Sequence, residues 1–320
     1  MVYVMESPST RRATDRRLGL FRLEPQRHER VWGGRRFSTN GRTVGEVWVV
    51  WHDNRVADGP YHGRTLGELT AELGARLTGR DGDRFPLLVK LLDTSDWLSV
   101  QVHPNDEQAQ RLEGDGFVGK TEAWHVLDAA PDARVIAGLK PGTDHAALTS
   151  SLRAGSLLDL VDYSPAAPGD TFFIRAGTVH ALGPELLMYE VQQSSDVTYR
   201  VWDWDRPASD NRPLHVEQTL AVADPAARAV RSPLKRANRQ ELVASPYFVL
   251  ERIAADGDVA LDTGRATFHV VTLTQGRATV VAGDERVRLG PLETVLVPAE
   301  RGAYRLDAER PFTALLSRLP

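Results

Sequence analysis

Short apolar runs, closed off by Gly, Pro, Asp or Asn, follow one another along the first two thirds of this chain. They are EVWVVW (46–51), LLVKLLD (87–93), LSVQVH (98–103), TEAWHVLDA (121–129), ARVIAGL (133–139), DTFFIRA (170–176), LLMYEVQQ (186–193) and VTYRVWDW (197–204). Rich in β-branched and aromatic residues and too short for most helices, they predict strands. Helical spacing is confined to a few insertions. In TLGELTAELGARLTG (65–79), Leu66, Leu69, Leu73 and Leu77 share one face, Thr65 and Glu68 are placed as a capping box, and Gly79 marks a stop. PNDEQAQRLEG (104–114) and the segment 143–161 predict two further helical insertions.

From 223 to 245 strand character fades into an apparent connector, and then runs such as FHVVTLTQG (268–276), TVLVPA (294–299) and FTALLSRL (312–319) resume at short intervals. The expectation is a catalytic β unit over 18–238 and a second, smaller β unit over 239–320. The halves also echo one another: GDTFFIRAGTVHAL (169–182) resembles GPLETVLVPAERGAYRL (290–306), with His180 in the first copy where the second has Ala303 and Tyr304. Such a repeat describes two related barrels, the first alone keeping side chains able to hold a metal.

With 320 residues, 42% of them hydrophobic, the chain can bury a substantial core. It has no cysteine, which excludes disulfides and thiolate metal sites and leaves histidine, carboxylate and amide donors. A net charge of −4 and the lack of a long basic run after residue 36 argue against nucleic acid as a partner. No apolar run reaches membrane-spanning length. Residues 1–17 are Arg-rich without the apolar centre of a signal peptide, so they read as a loose tail on a cytoplasmic protein.

Several polar residues interrupt the strand pattern. Gln101 and His103, two apart in SVQVHPND, point to one side of a strand. Glu122 opens the run after the 104–114 helix, and His180 ends AGTVH, a sequence suited to a barrel corner where Gly allows a tight bend. Two imidazoles, a carboxylate and an amide on neighbouring strands form a candidate four-donor metal site. Each also has a structural alternative: a hydrogen-bonded core histidine, or for Glu122 an ion pair with Lys120. His125 has the opposite strand parity from Glu122 and is not counted. Lys120, Ser99 and Lys90 flank the donor strands and are candidates for phosphate or hydroxyl binding. Trp202 and Trp204 in VWDWDRP read as packing residues, and WGG (32–34) as a tight turn.

Three long blocks, FPLLVKLLDTSDWLSVQVHPND, GKTEAWHVLDA and GDTFFIRAGTVHALGPELLMYEVQQSSDVTYRVWDWDR, resemble the type I mannose-6-phosphate isomerases, a zinc-dependent cupin family. The likeness runs with gaps from about residue 18 to the C-terminus and is densest over 85–206. It implies a mainly β fold, a cupin-type β-barrel (jelly roll) carrying helical insertions, followed by a smaller cupin-like β domain. It further implies Gln101, His103, Glu122 and His180 as ligands of one Zn2+ per chain, and Glu190 and Arg200 as active-site residues, Arg200 being catalytic. Departures from the family pattern are the longer N-terminal tail, Val47 in GEVWVVWHDN, and His125 in EAWHVL where Tyr is common.

The implied reaction is interconversion of mannose 6-phosphate and fructose 6-phosphate through a cis-enediol. The ligand set alone leaves zinc, manganese, iron or cobalt open. Other readings are an isomerase of a related sugar or sugar phosphate, a non-catalytic sugar-binding cupin, and an iron-dependent cupin dioxygenase, against which the QVHPND and GKTEAW blocks argue. A small sugar phosphate is the expected partner, and the chain is expected to act as a monomer or homodimer.

Overall fold

The predicted runs become strands that pair antiparallel, and most of them are buried along nearly their whole length. In this computed structural model, residues 17–207, 212–235 and 237–320 are described. Residues 1–16 of the expected tail therefore lie outside the described residues.

The strands are β1 (Gln26–His28), β2 (Glu46–Val50), β3 (Leu87–Thr94), β4 (Val100–Val102), β5 (Glu122–Ala129), β6 (Arg134–Leu139) and β7 (Val161–Pro165). They continue as β8 (Thr171–Ile174), β9 (His180–Leu182), β10 (Leu186–Gln193), β11 (Tyr199–Trp202) and β12 (Val230–Ser232). The remainder are β13 (Arg239–Ala244), β14 (Val249–Ala255), β15 (Val259–Asp262), β16 (His269–Ala282), β17 (Glu285–Leu289), β18 (Thr294–Val297) and β19 (Ala303–Arg318). The α-helices are α1 (Leu66–Leu73), α2 (Ala75–Thr78), α3 (Asp106–Glu113), α4 (His145–Ala154) and α5 (Val216–Val222).

Three sheets result. The first has the order β1-β2-β3-β10-β5-β8-β12, the second β11-β4-β9-β6-β7, and the third β13-β14-β19-β16-β17 with β15 on β19 and β18 on β16. The first two face each other across a cluster that includes Leu92, Trp124, Phe172 and Met188 from one sheet and Val135 and Leu182 from the other. This is the jelly-roll arrangement, two apposed antiparallel sheets without a closed cylinder among the described residues.

The first sheet is buried on both faces, which is why its strands read as almost unbroken apolar runs. Along β10, Met188 faces the second sheet, while Tyr189 and Val191 turn the other way, toward Leu250, Val270 and Leu315 of the third sheet. Leu66, Leu69 and Leu77 join that second core and are fully buried, a contribution of roughly 1.5–3 kcal/mol each. The second sheet turns Val100, Val102, Ala181 and Tyr199 outward against α4 and α5, leaving the opposite parity facing inward.

Two expectations change. The 65–79 helix forms with its Thr65–Glu68 capping box, yet breaks at Gly74, whose φ of 48° is outside the helical region, so α1 and α2 are separate. The 223–245 connector carries β12 and the whole of β13, because β8 and β14 offer it strand edges that local sequence does not reveal. The repeat is visible as strand, break and strand: β8 to β9 in the first half, β18 to β19 in the second. WGG makes a turn closed by Gly33 N–H donating to Arg30 C=O at 2.9 Å. Trp204 packs on Trp97 with ring centres 4.8 Å apart.

Candidate metal centre

Four strand ladders aim polar side chains into the space between the first two sheets. In the first sheet, Lys90 on β3 pairs with Glu190 on β10, which pairs with Trp124 on β5. In the second, Arg200 on β11 pairs with Gln101 on β4, which pairs with His180 on β9. Residues directly opposite in an antiparallel pair project to the same side. Along the chain, Ser99, Gln101 and His103 keep that parity, as do Glu122 and Trp124.

His180 does not end the preceding strand, as its sequence context suggests, but opens β9. The chain leaves the first sheet at Ile174, turns through Gly177 at φ 84°, and enters the second. This corner carries His180 across to Glu122 of the facing sheet. His103, Glu122 and His180 are at most 1% exposed, and one donor atom from each lies within 4.8 Å of the others.

The donors fit a cation. His103 Nδ1–H donates to the Val197 carbonyl at 2.9 Å and His180 Nδ1–H to that of Thr178 at 2.8 Å, so both Nε2 atoms keep their lone pairs. Burial, then the charge of Lys120, holds both imidazoles well below their ordinary pKa, His180 at about 3. Both are therefore neutral, as coordination requires. Glu122 Oε1 and His180 Nε2 stand 3.3 Å apart, buried and without a hydrogen-bond partner. Two facing lone pairs in a buried site are unfavourable unless a cation lies between them. The Lys120 ammonium also bonds Glu122 Oε2, and meets His103 Nε2 at 2.8 Å. The Glu122–Lys120 ion pair and the three-donor group thus coexist. These residues can hold a metal ion; Gln101 is brought beside them by its register with His180.

A cleft of about 640 Å³ opens beside this group. It is lined by Ser99, Gln101, Lys90, Lys120, Glu190 and Arg200, together with Trp32, Glu46, Trp48 and Arg212. All nine sequence candidates thus lie in the cleft wall or in the buried group beside it. Glu190 is positioned by two contacts, Lys90 Nζ at 3.0 Å from Oε1 and Trp124 Nε1–H donating to Oε2 at 2.9 Å. Burial opposes the Lys90 charge, but Glu190 and Glu46 outweigh it and raise its pKa above the usual value. Glu46 in turn is held at about 2, its burial outweighed by Lys90 and Arg30.

Arg200 differs from these neighbours. Among the described residues it has no carboxylate in ion-pair contact; Nη1 donates to the Pro213 carbonyl at 3.2 Å, and Nε is buried without a partner. Glu190 pairs with Lys90 rather than with Arg200.

Sequence reasoning passed over Trp124, Glu46 and Arg212. Trp124 had a signal, since it shares parity with Glu122 two residues away. Glu46 and Arg212 had none, because only the tertiary fold brings them to the cleft.

Comparisons with known proteins converge. Residues 20–116 match the family model described as phosphomannose isomerase type I, catalytic domain. The mannose-6-phosphate isomerase of Streptococcus mutans is 34% identical over 303 residues, 90% of this chain and 95% of that one. That of Bacillus subtilis, ManA, is 33% identical over 302 residues, covering 89% and 95% respectively. The crystal structure of a B. subtilis mannose 6-phosphate isomerase matches with a TM-score of 0.83 and 29% identity, over 94% of this chain and 99% of that one.

Proposed function

The chain belongs to the type I mannose-6-phosphate isomerase family, and we propose that its cleft interconverts mannose 6-phosphate and fructose 6-phosphate with zinc held by Gln101, His103, Glu122 and His180. The observation that carries this reading is the buried pair of unpartnered lone pairs, Glu122 Oε1 and His180 Nε2, beside a cleft lined with cations. Nitrogen and oxygen donors with a single carboxylate suit Zn2+. When bound, such an ion would keep net positive charge and would supply polarisation of a substrate oxygen.

The residues divide the remaining tasks. Glu190 takes the proton from C2 of the open-chain aldose and returns it to C1, while the C2 hydroxyl proton passes to the C1 oxygen to leave the ketone; Lys90 and Trp124 hold the Glu190 carboxylate in place. Arg200, always protonated and without a carboxylate in ion-pair contact, stabilises the negative charge that develops on the enediol oxygen. Lys120 and Ser99 orient substrate hydroxyls from the cleft wall.

Every one of these side chains comes from the first two sheets or the loops between their strands, which supports residues 18–238 as the catalytic unit and 239–320 as a scaffold buttressing β10. Tyr189 of β10 meets Ser317 of the third sheet across 2.8 Å. No helix among the described residues is long and apolar enough to cross a membrane. A cytoplasmic workplace follows from the substrate, since an ionised phosphate ester does not cross a bilayer unaided.

The test is to assay purified protein for fructose 6-phosphate formed from mannose 6-phosphate, with metal analysis before and after chelation. Full turnover by rigorously metal-free protein rules out the metal-dependent mechanism. A panel of mannose, glucose and fructose phosphates and their free sugars decides the substrate.

A further inference from the structure

The cleft is electrostatically two-ended. At the end with the metal donors, each cation has a carboxylate: Lys120 has Glu122, Lys90 has Glu190, and Arg30 has Glu46 at 2.9 Å. At the other end, Arg206 and Arg212 share Asp203, and Arg200 stands beside them without a carboxylate in ion-pair contact among the described residues. Arg212 grips Asp203 with two bonds, Nε to Oδ2 at 2.7 Å and Nη2 to Oδ1 at 2.6 Å. Arg206 donates to Asp203 at 3.0 Å and to Asp96 at 2.8 Å. Of the charged side chains lining the cleft, Arg30, Lys90, Lys120, Arg200 and Arg212 outnumber Glu29, Glu46, Glu190 and Asp196 by one. The Nη1 amino group of Arg212 is not used in its fork to Asp203, and its side chain lines the cleft.

The backbone is strained at this end. Trp204 and Asp205, consecutive and neither of them glycine, have φ of 56° and 54°. Left-handed conformations cost about 1–2 kcal/mol per such residue. They fold the chain back immediately after Asp203, the anchor of Arg212. The segment after Arg212 is also tied to Arg200: His215 N–H donates to the Arg200 carbonyl at 2.8 Å, and Arg200 N–H to His215 Nδ1 at 3.1 Å.

Spacing connects the two ends. His180, Gln101 and Arg200 lie on three adjacent strands, and at roughly 4.8 Å per strand the first and last are about 10 Å apart. An extended six-carbon phosphate, built from bonds of about 1.5 Å, spans roughly 9 Å from C1 to phosphorus.

Resting on the isomerase reading above, we propose that Arg212, tethered beside β11, binds the substrate phosphate, leaving the long Arg200 side chain to reach toward the enediol oxygen, and so sets the direction in which the sugar enters the cleft. Asp203 holds the Arg212 fork edge-on, and the free amino group faces the anion. Desolvation, followed by the charge of Arg212, lowers the Arg200 pKa, as expected where a cation pair awaits an anion. Arg212 acts in binding and touches no reacting atom.

The experiment uses zinc-loaded protein and inorganic phosphate as a competitive inhibitor of mannose 6-phosphate turnover. Arg212→Met is expected to raise both the phosphate inhibition constant and KM at least tenfold, with kcat within threefold of wild type and metal content unchanged. Arg212→Lys, which keeps the charge and a bond to Asp203, should recover most of that loss. Unaltered phosphate inhibition in Arg212→Met overturns the assignment. So does a parallel loss of phosphate affinity, kcat and metal in both variants, which would make Arg212 a structural anchor. If wild-type protein fails to convert mannose 6-phosphate, the isomerase reading falls instead. Phosphate titration calorimetry on wild type and Arg212→Met then judges Arg212 independently.

Discussion

Trp124 donates its indole N–H to Glu190 Oε2 at 2.9 Å while its ring stands edge-on to His180, ring centres 5.3 Å apart. One buried side chain thus touches both the carboxylate proposed to move protons and a proposed metal ligand. Trp124→Phe keeps much of the packing but removes the donor. Turnover is expected to fall about 10²-fold, the lower range for a lost preorganised donor, with zinc content near wild type. An unchanged kcat in steady-state assays would show that Glu190 does not depend on this bond.

Metal binding should be coupled to stability. At zinc 100 times its dissociation constant the folded state gains about 2.7 kcal/mol, raising Tm by several degrees in a thermal melt. His180→Ala removes a donor and leaves Glu122 Oε1 without its counterpart, so the zinc-dependent rise should vanish along with turnover. A full zinc response in His180→Ala would place the ion elsewhere.

Arg200 is proposed to act on developing charge. Arg200→Ala is expected to reduce kcat about 10²–10³-fold while the protein retains its metal by elemental analysis. Wild-type turnover in this variant would refute the role.

A pH effect on stability is expected from the third sheet. Burial, then Arg318, holds His269 at about 4, and its Nδ1 meets Tyr304 Oη at 2.8 Å. Above pH 6.5 the imidazole is neutral in folded and unfolded chains alike. Between 6.5 and 4 the unfolded chain takes up a proton that the folded one refuses, so stability declines as pH falls. The loss is on the order of 3 kcal/mol once pH reaches 4. Urea unfolding at pH 7 and pH 5 should show a smaller difference for His269→Gln than for wild type. Equal slopes would assign the acid sensitivity to other groups.

Much of the site was legible because strand parity is a local property. Gln101 and His103, and Glu122 with its neighbours, declare a shared face through spacing alone, and the Lys within LLVKLLD stands out in a run that is otherwise apolar up to Asp93. The three long motif blocks added the family. What parity does not say is which face meets the partner sheet. His180 illustrates the gap: its sequence looks like the end of a strand, but the corner at Gly177 makes it the beginning of the next, in the other sheet. Arg212 shows the same limit, with no motif around it and a location set by Asp203 and the strained turn that follows.

By itself, then, the sequence determined the mainly β architecture, the helical insertions, the family and the candidate donor residues. Those follow from short-range periodicity and from blocks of residues that travel together. Tertiary structure alone decided that Glu122 of one sheet confronts His180 of the other, that Lys90 and Trp124 position Glu190, and that Arg200 and Arg212 line one cleft. These depend on contacts between residues tens of positions apart, where burial removes water and turns proximity into charge stabilisation.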